Sequence, residues 1–399
     1  MSKIKTGRRF AGIAGVVATG AVLLAACGSS ATSSSNTTAA GSSSAGGSNS
    51  ATTQGIAHAQ AQLNNYMGVS TWSPPGPAFD ASKAKGKTVW YIPSLYSVPI
   101  FHTIVAGMKE ALSKVGVNLT VCDGQGNPTQ FENCVNEAVA QGAGAIIYDS
   151  LYTQTIQSGI ANANAHHIPV IMGNDQSPGG PLPNGVAAQV SFEYTLSGRL
   201  VSDWIIVDSK GKADVLLTDT TDNPNSASVL TQGYLYELQH YCPQCKVTTK
   251  DLTISEWATG LQSITSSALT ADPNINYVVP EYDGMTAYMG PAITQLGKQN
   301  TVKVATFNAD LQQMQQMAAG DLVYVDVGSN NAYEGWAYAD QALRLMTGTA
   351  PVANEHVPVR VFTRQNVKSI PLTTAAANSG SWYGGTQYQT GYLKLWGVS

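Results

Sequence analysis

Apolar and polar positions along this chain follow a pattern that is written twice. From Gly86, "GKTVWYIPSLYSVPIFHTIVAGMKEALSKVGVNLTV" opens on Gly-Lys and an unbroken apolar run. That run suits a strand covered on both faces. A polar loop follows, then apolar positions at helical spacing over 101–115, then a second strand. From Gly211, "GKADVLLTDTTDNPNSASVLTQGYLYELQHYCPQCKVTT" repeats the order. The first helix of each half carries a glycine, Gly107 or Gly233, 21 and 22 residues after the opening glycine. Both halves continue with a helix (129–141 or 258–269) and a third strand, "GAIIYDS" or "INYVVPEY". Another helix (154–166 or 285–296) precedes "IPVIMGND" or "VKVATFNAD". The pattern predicts β-α-β-α-β-α-β in duplicate.

Strands alternating with helices of this length imply parallel sheets with right-handed crossovers and helices on both faces. The predicted class is therefore α/β, with two doubly wound, Rossmann-like lobes. Each lobe turns the carboxyl ends of its strands toward a crevice, and a small ligand would lie between them. Closure of the lobes would desolvate it.

The ends of the chain have a different texture. Lys3, Lys5, Arg8 and Arg9 precede an uncharged run over 10–26 that ends in "LLAACGSS". A basic segment before a short apolar core is an export signal, here residues 1–26. Leu24-Ala25-Ala26-Cys27 resembles the lipobox of bacterial lipoproteins, which makes Cys27 the lipidated first residue. Residues 27–53 are almost wholly Ser, Ala, Gly, Thr and Asn, the composition of a flexible tether. Residues 54–66 read as a short helix, and a proline-stiffened arm leads from there to 85.

Charge narrows the partners. Removing the four signal-peptide cations from 21 Lys and Arg leaves 17 against 25 Asp and Glu. So acidic a mature chain argues against nucleic acid. Four cysteines follow Cys27, and in an oxidising compartment the expected pairs are Cys122 with Cys134 and Cys242 with Cys245. "HYCPQC" could instead be a redox pair or, with His240, half a zinc site. It lacks a helix start after the first Cys and a fourth ligand at sensible spacing.

From about Gly86 to Val361 the order of elements resembles the ribose-binding-protein-like group of type I periplasmic binding proteins, the receptors of ABC sugar importers. "GMKEALSKVGVNLTVCDGQGNPTQ", "AIIYDS" before "IANANAHHIPVIMGND", and "DPNINYVVPEYDGM" carry the resemblance. It implies a hinge of three segments, near Ser191–Glu193, Val327–Asn330 and Val361–Thr363. The N-terminal lobe is then 86–191 plus 329–361. The C-terminal lobe is 192–328 plus 362–399, including a C-terminal extension longer than the family core needs.

The resemblance also marks a ligand site. After the first strand the family stacks an aromatic on its ligand, and Tyr96 and Phe101 stand in or beside that loop. Trp257 in "SEWATG" falls where an opposing aromatic belongs, suited to the C–H face of a sugar or polyol. After "IPVIMG" the family often carries Asp-Arg, a fork for hydroxyls. This chain has Asn174-Asp175, and the far-lobe arginine maps near Ser228. Tyr282, Asp283, Asn308 and, in "DTTDNPN", Asp222 complete the set. Asn and Asp at these places are equally suited to turns and helix caps. Without the arginines a polyol, a modified sugar or a partly aromatic molecule fits as well as a plain pentose or hexose.

"DGQGNP" lacks the third glycine and the Lys-Ser/Thr pair of a phosphate cradle. His166-His167 has no acidic partner nearby, so neither a metal nor a cofactor is expected. The expected function is a non-catalytic, extracytoplasmic, lipid-anchored and monomeric receptor that delivers a sugar-like ligand to an ABC permease. A ligand-sensing module for a membrane kinase or receptor uses the same fold. A secreted glycoside hydrolase working through carboxylates such as Asp175 and Asp283 is the remote alternative.

Overall fold

The computed structural model describes residues 44–398. The export signal, Cys27 and the tether through residue 43 lie outside the described residues. Helix α1 (Ser44–Tyr66) begins well before 54, so the last part of the expected tether is helical. The Ser/Ala/Gly/Thr composition offers no stripe to predict this, and tertiary contact supplies what propensity does not. Ala59 and Leu63 are buried in the core of the second lobe, with Ile56 and Tyr66 packed beside them. Gly55 lies so close to the Tyr241 carbonyl that a Cβ would stand 1.9 Å from its oxygen.

The first lobe contains β1 (Thr88–Pro93), α2 (Pro99–Ser113), β2 (Asn118–Val121), α3 (Pro128–Ala140), β3 (Ala145–Asp149), α4 (Gln157–Ala165), β4 (Val170–Gly173) and β5 (Ala188–Val190). Its sheet runs β2-β1-β3-β4-β5. Every pairing in it is parallel. Cys122 and Cys134 are joined, tying the end of β2 to α3.

The second lobe opens with α5 (Tyr194–Asp208) and β6 (Asp214–Thr220). A π-helical stretch (Ala227–Leu235) runs into α6 (Tyr236–Tyr241). Then come β7 (Lys246–Leu252), α7 (Trp257–Ala271), β8 (Tyr277–Val279), α8 (Thr286–Gln295), β9 (Lys303–Asn308), α9 (Leu311–Ala319) and β10 (Val323–Ser329). Cys242 and Cys245 are joined between α6 and β7. Helix α10 (Asn331–Met346) returns to the first lobe, and β11 (Val359–Thr363) pairs antiparallel with β10. The second sheet runs β11-β10-β9-β8-β6-β7.

The repeated glycines have one structural meaning. A Cβ on Gly107 of α2 would meet the Ala332 carbonyl of α10 at 2.4 Å, and Gly335 of α10 sits equally tight against α2. In the second lobe Gly233 faces Gly198 of α5, where a Cβ would lie 3.0 Å from the opposing Cα. In both lobes a helix–helix approach closer than side chains permit covers one face of the sheet.

Two boundaries differ from expectation. The third crossing falls between Met346 and Val359, not at Val361–Thr363, because β11 pairs with β10 from its first residue. The C-terminal extension is not confined to the second lobe. Trp382 and Tyr383 pack beside Phe362 in that lobe, after α11 (Thr374–Asn378). Helix α12 (Gln387–Leu395) places Tyr388, Tyr392 and, just after it, Trp396 in the first lobe's core. Trp396 stacks on Trp336 at 5.5 Å with planes 11° apart. Aromatics that would be costly in water settle the tail's course on both lobes.

Candidate functional site

The loops at the carboxyl ends of the strands build the two walls of the cleft. On the first lobe, the β1 loop leads to Pro99 at the start of α2. Tyr96 donates its N–H to Asp123 (2.9 Å), and its ring lies 4.4 Å from that of His102. Phe101 is only 4 % exposed and packs in the first lobe's core.

Asp149 ends β3 and is fully buried. Its Oδ2 accepts from Tyr91 (2.7 Å) and Tyr338 (2.9 Å), and its Oδ1 from Ser150 and Asn174. Asn174 has φ +54° and is fully engaged within the lobe. Its Nδ2 donates to Asp149 (3.1 Å) and Glu334 (2.7 Å), and its Oδ1 accepts from the Phe192 N–H (2.8 Å). The side chain therefore ties β4 to the hinge helix α10 and to the first crossing. Asp175 accepts from the Leu151 N–H (3.0 Å) and the Thr153 hydroxyl (3.3 Å). Burial, reinforced by the charge of Asp149, pushes its carboxyl up to about 8. Glu334 is likewise pushed up to about 8 by burial and then by Asp149.

On the second lobe Glu281 organises the β6 loop. It accepts from the Thr220 N–H (2.7 Å) and from Asn223 Nδ2 (2.8 Å), and burial raises it to about 7. Asp222 accepts from the Ile254 N–H (2.8 Å), which holds two loops together. Thr253 and Glu256 form a capping box on the 3-10 turn Ile254–Glu256, which runs into α7. Trp257 follows, half-buried, its ring 5.0 Å from that of Tyr282 and its Nε1 donating to Thr220 Oγ1 (3.1 Å). Asp283 accepts from the Asp310 N–H (2.7 Å), and Asp326 from the Ala309 N–H (2.9 Å). These two carboxylates fix the turn after β9, where Asn308 has φ +118° and Ala309 φ +57°. Burial pushes Asp326 up to about 8 and Asp283 well above the carboxylate range.

A cavity of about 740 Å³ opens between the walls. Tyr152 and Asp175 line it from the first lobe, and Arg199, Ser228 and Gln232 from the second. Ser177 and Thr195 bridge the lobes beside it, hydroxyl to hydroxyl at 2.9 Å. A second cavity of about 230 Å³ lies between Pro99 and Ile100 of α2 and the Asp310, Ser329 and Tyr383 side. Of the nine expected ligand residues, Asp175 lines the larger cavity. Trp257 and Tyr282 pack against each other with their planes 60° apart, while Asn174, Asp222 and Asp283 are tied into loop-fixing bonds.

The sequence reading missed Tyr152, Arg199, Asp149, Glu281 and Glu334. A lone carboxylate inside the otherwise apolar "NAYEGWAYA" was the available signal for Glu334. Arg199 is the cation of the larger cavity, its Nε donating to the Gln232 carbonyl (3.1 Å). It comes from α5 and not from the family's usual arginine positions, so no motif marks it.

Comparison with known proteins places the chain. Residues 89–350 match the family model described as periplasmic binding protein domain. The ribose import binding protein of Escherichia coli is 22 % identical over 217 residues, 54 % of this chain and 71 % of that protein. An ABC transporter solute-binding protein from Bacillus halodurans, solved with bound myo-inositol, superposes with a TM-score of 0.62 at 19 % identity. That match covers 72 % of this chain and 97 % of the other. A 5-methylthioribose transporter solute-binding protein from Thermotoga lettingae gives 0.62 at 19 % identity, covering 79 % and 95 %. With two parallel-sheet lobes, a cleft at the strand ends and a family match over most of both, the chain belongs to the periplasmic binding proteins.

Proposed function

We propose that the protein is an extracytoplasmic receptor that captures a sugar- or polyol-like small molecule between its lobes and delivers it to an ABC permease. The observation that carries this reading is the cavity of about 740 Å³ lined from both lobes at the carboxyl ends of their strands. The relatives bear on the ligand class: one is a ribose import binding protein, and two structural neighbours hold myo-inositol and 5-methylthioribose. The lining favours a neutral, hydroxyl-rich ligand. Asp175, raised to about 8 by burial, offers a hydroxyl hydrogen as well as acceptors at neutral pH. Arg199, Ser228 and Gln232 supply donors opposite. Trp257 and Tyr282 form an aromatic corner at the end of the second lobe's strands.

Lipidation at Cys27 tethers the receptor to the outer face of the cytoplasmic membrane, where it acts as a monomer. Among the described residues no helix is long and apolar enough to cross a membrane. The protein binds its ligand without turnover.

The test is a thermal-shift screen of sugars, polyols and small aromatics, followed by calorimetry of the hits. A ligand at 100 times its Kd adds about 2.7 kcal/mol. Recovery of the ligand unchanged after prolonged incubation is expected. A glycoside cleaved during incubation, or silence across all three classes, would overturn the reading.

A further inference from the structure

Where α1 lies along α5 and α6, three ligand-type groups from three helices converge about one helical turn beyond the cleft residues Arg199 and Gln232. They are His58, Asp203 and Glu237, and their ligand atoms lie within 4.8 Å of one another. His58 Nε2 stands 2.8 Å from Glu237 Oε1. Asp203 is 1 % exposed and Glu237 2 %. Asp203 lies against Glu237, and its Oδ1 takes no hydrogen bond from any N–H or hydroxyl donor. A buried carboxylate oxygen without a donor is costly, so the pocket is short of positive charge.

The nearest permanent cation does not fill it. Arg199 Nε lies 3.9 Å from the far oxygen of Glu237, but it donates to the Gln232 carbonyl and its guanidinium sits 4.3 Å over the Tyr236 ring. The imidazole is already oriented: it stacks on Tyr241 with centroids 3.6 Å apart and planes within 6°. Its side chain is 30 % exposed, which leaves one side open to water.

We propose that His58, Asp203 and Glu237 form a site for a first-row divalent metal ion, zinc above all, that staples α1 to the second lobe. One imidazole nitrogen and two carboxylate oxygens suit zinc at about 2.0–2.2 Å, with water in the fourth position. Magnesium and calcium, which favour all-oxygen shells, suit the histidine poorly. Zinc supplies the positive charge that two buried carboxylates side by side call for. Helix α1 is the first described element of the chain, and the staple fixes it to the second lobe.

The experiment uses full-length protein in detergent, stripped with a chelator and titrated with Zn²⁺ against a chromophoric zinc indicator. One ion per chain is expected, and affinity falls at least a hundredfold in His58→Gln and in Asp203→Asn, whereas His166→Ala leaves it unchanged. X-ray absorption at the zinc edge of the wild-type complex provides the check that needs no variant. A first shell of one imidazole nitrogen and oxygens at about 2.0–2.2 Å is expected. Stoichiometric binding that survives His58→Gln, a shell of sulfur or several imidazoles, or no binding at one equivalent would each overturn the site.

Discussion

Trp257→Ala separates a cleft wall from a structural tryptophan. Its ring is half-buried, rests against Tyr282 at 5.0 Å and donates Nε1 to Thr220 Oγ1. Removing the indole forfeits an aromatic pair worth about 0.5–1.5 kcal/mol and a hydrogen bond of about the same size. The buried half of the ring adds a fraction of the ~3–5 kcal/mol that truncating a core tryptophan costs. The apo protein should therefore lose roughly 2–3 kcal/mol, a Tm drop of a few degrees in a chain this long. If the indole also faces the ligand, truncation costs a further ~1–3 kcal/mol of binding, a tenfold to hundredfold rise in Kd. Trp257→Phe keeps a face and loses the bond to Thr220, so it should retain most of the affinity while sharing part of the Tm loss. Calorimetry on the ligand found by the screen and scanning calorimetry on the apo protein give the two readouts. An unchanged Kd in Trp257→Ala beside a lowered Tm would refute Trp257 as a cleft wall.

The buried carboxyls make a pH prediction with a definite sign. Asp175, Glu334 and Asp326 at about 8, and Glu281 at about 7, hold protons in the folded state that the unfolded chain has released. Their stabilisation is complete below about pH 4 and is lost as pH rises toward 8, at up to ~1.4 kcal/mol per pH unit for each proton held. Apo stability in urea should fall from pH 5 to pH 8, less steeply in Asp326→Asn, and a rise over that interval would contradict the assignment. Cys27→Ala should move the protein from the membrane fraction to the soluble extracytoplasmic fraction, and persistent membrane association without acyl labelling of the parent would refute lipidation. Trp396→Ala should cost about 3–5 kcal/mol, since the indole is fully buried, stacks on Trp336 and donates Nε1 to Asp340 (2.6 Å). A change below ~1 kcal/mol in chemical denaturation would show that α12 is dispensable to the first lobe.

The architecture was legible because both halves write their strands as continuous apolar runs and their helices as amphipathic ones, a signal each residue carries locally. The placement of Gly107 and Gly233 was visible in the same way, and the structure supplies the reason in the two close helix contacts. Other features arise between segments distant in the chain. Nothing in "NAYEGWAYA" states that Glu334 will meet Asn174 across 160 positions, or that doing so will engage an asparagine otherwise suited to a ligand. The course of the tail depends on Trp396 finding Trp336, and the part of α1 before residue 54 meets the second lobe through Thr52, which lies against Gly211 and bonds Gln244. Periodicity, turn chemistry and export signals are properties of neighbouring residues, so the sequence alone determines them. Which polar groups face the cleft, and which are consumed in building it, is decided by the low-dielectric interior that folding creates, where each buried carboxylate must take the nearest donor or keep its proton.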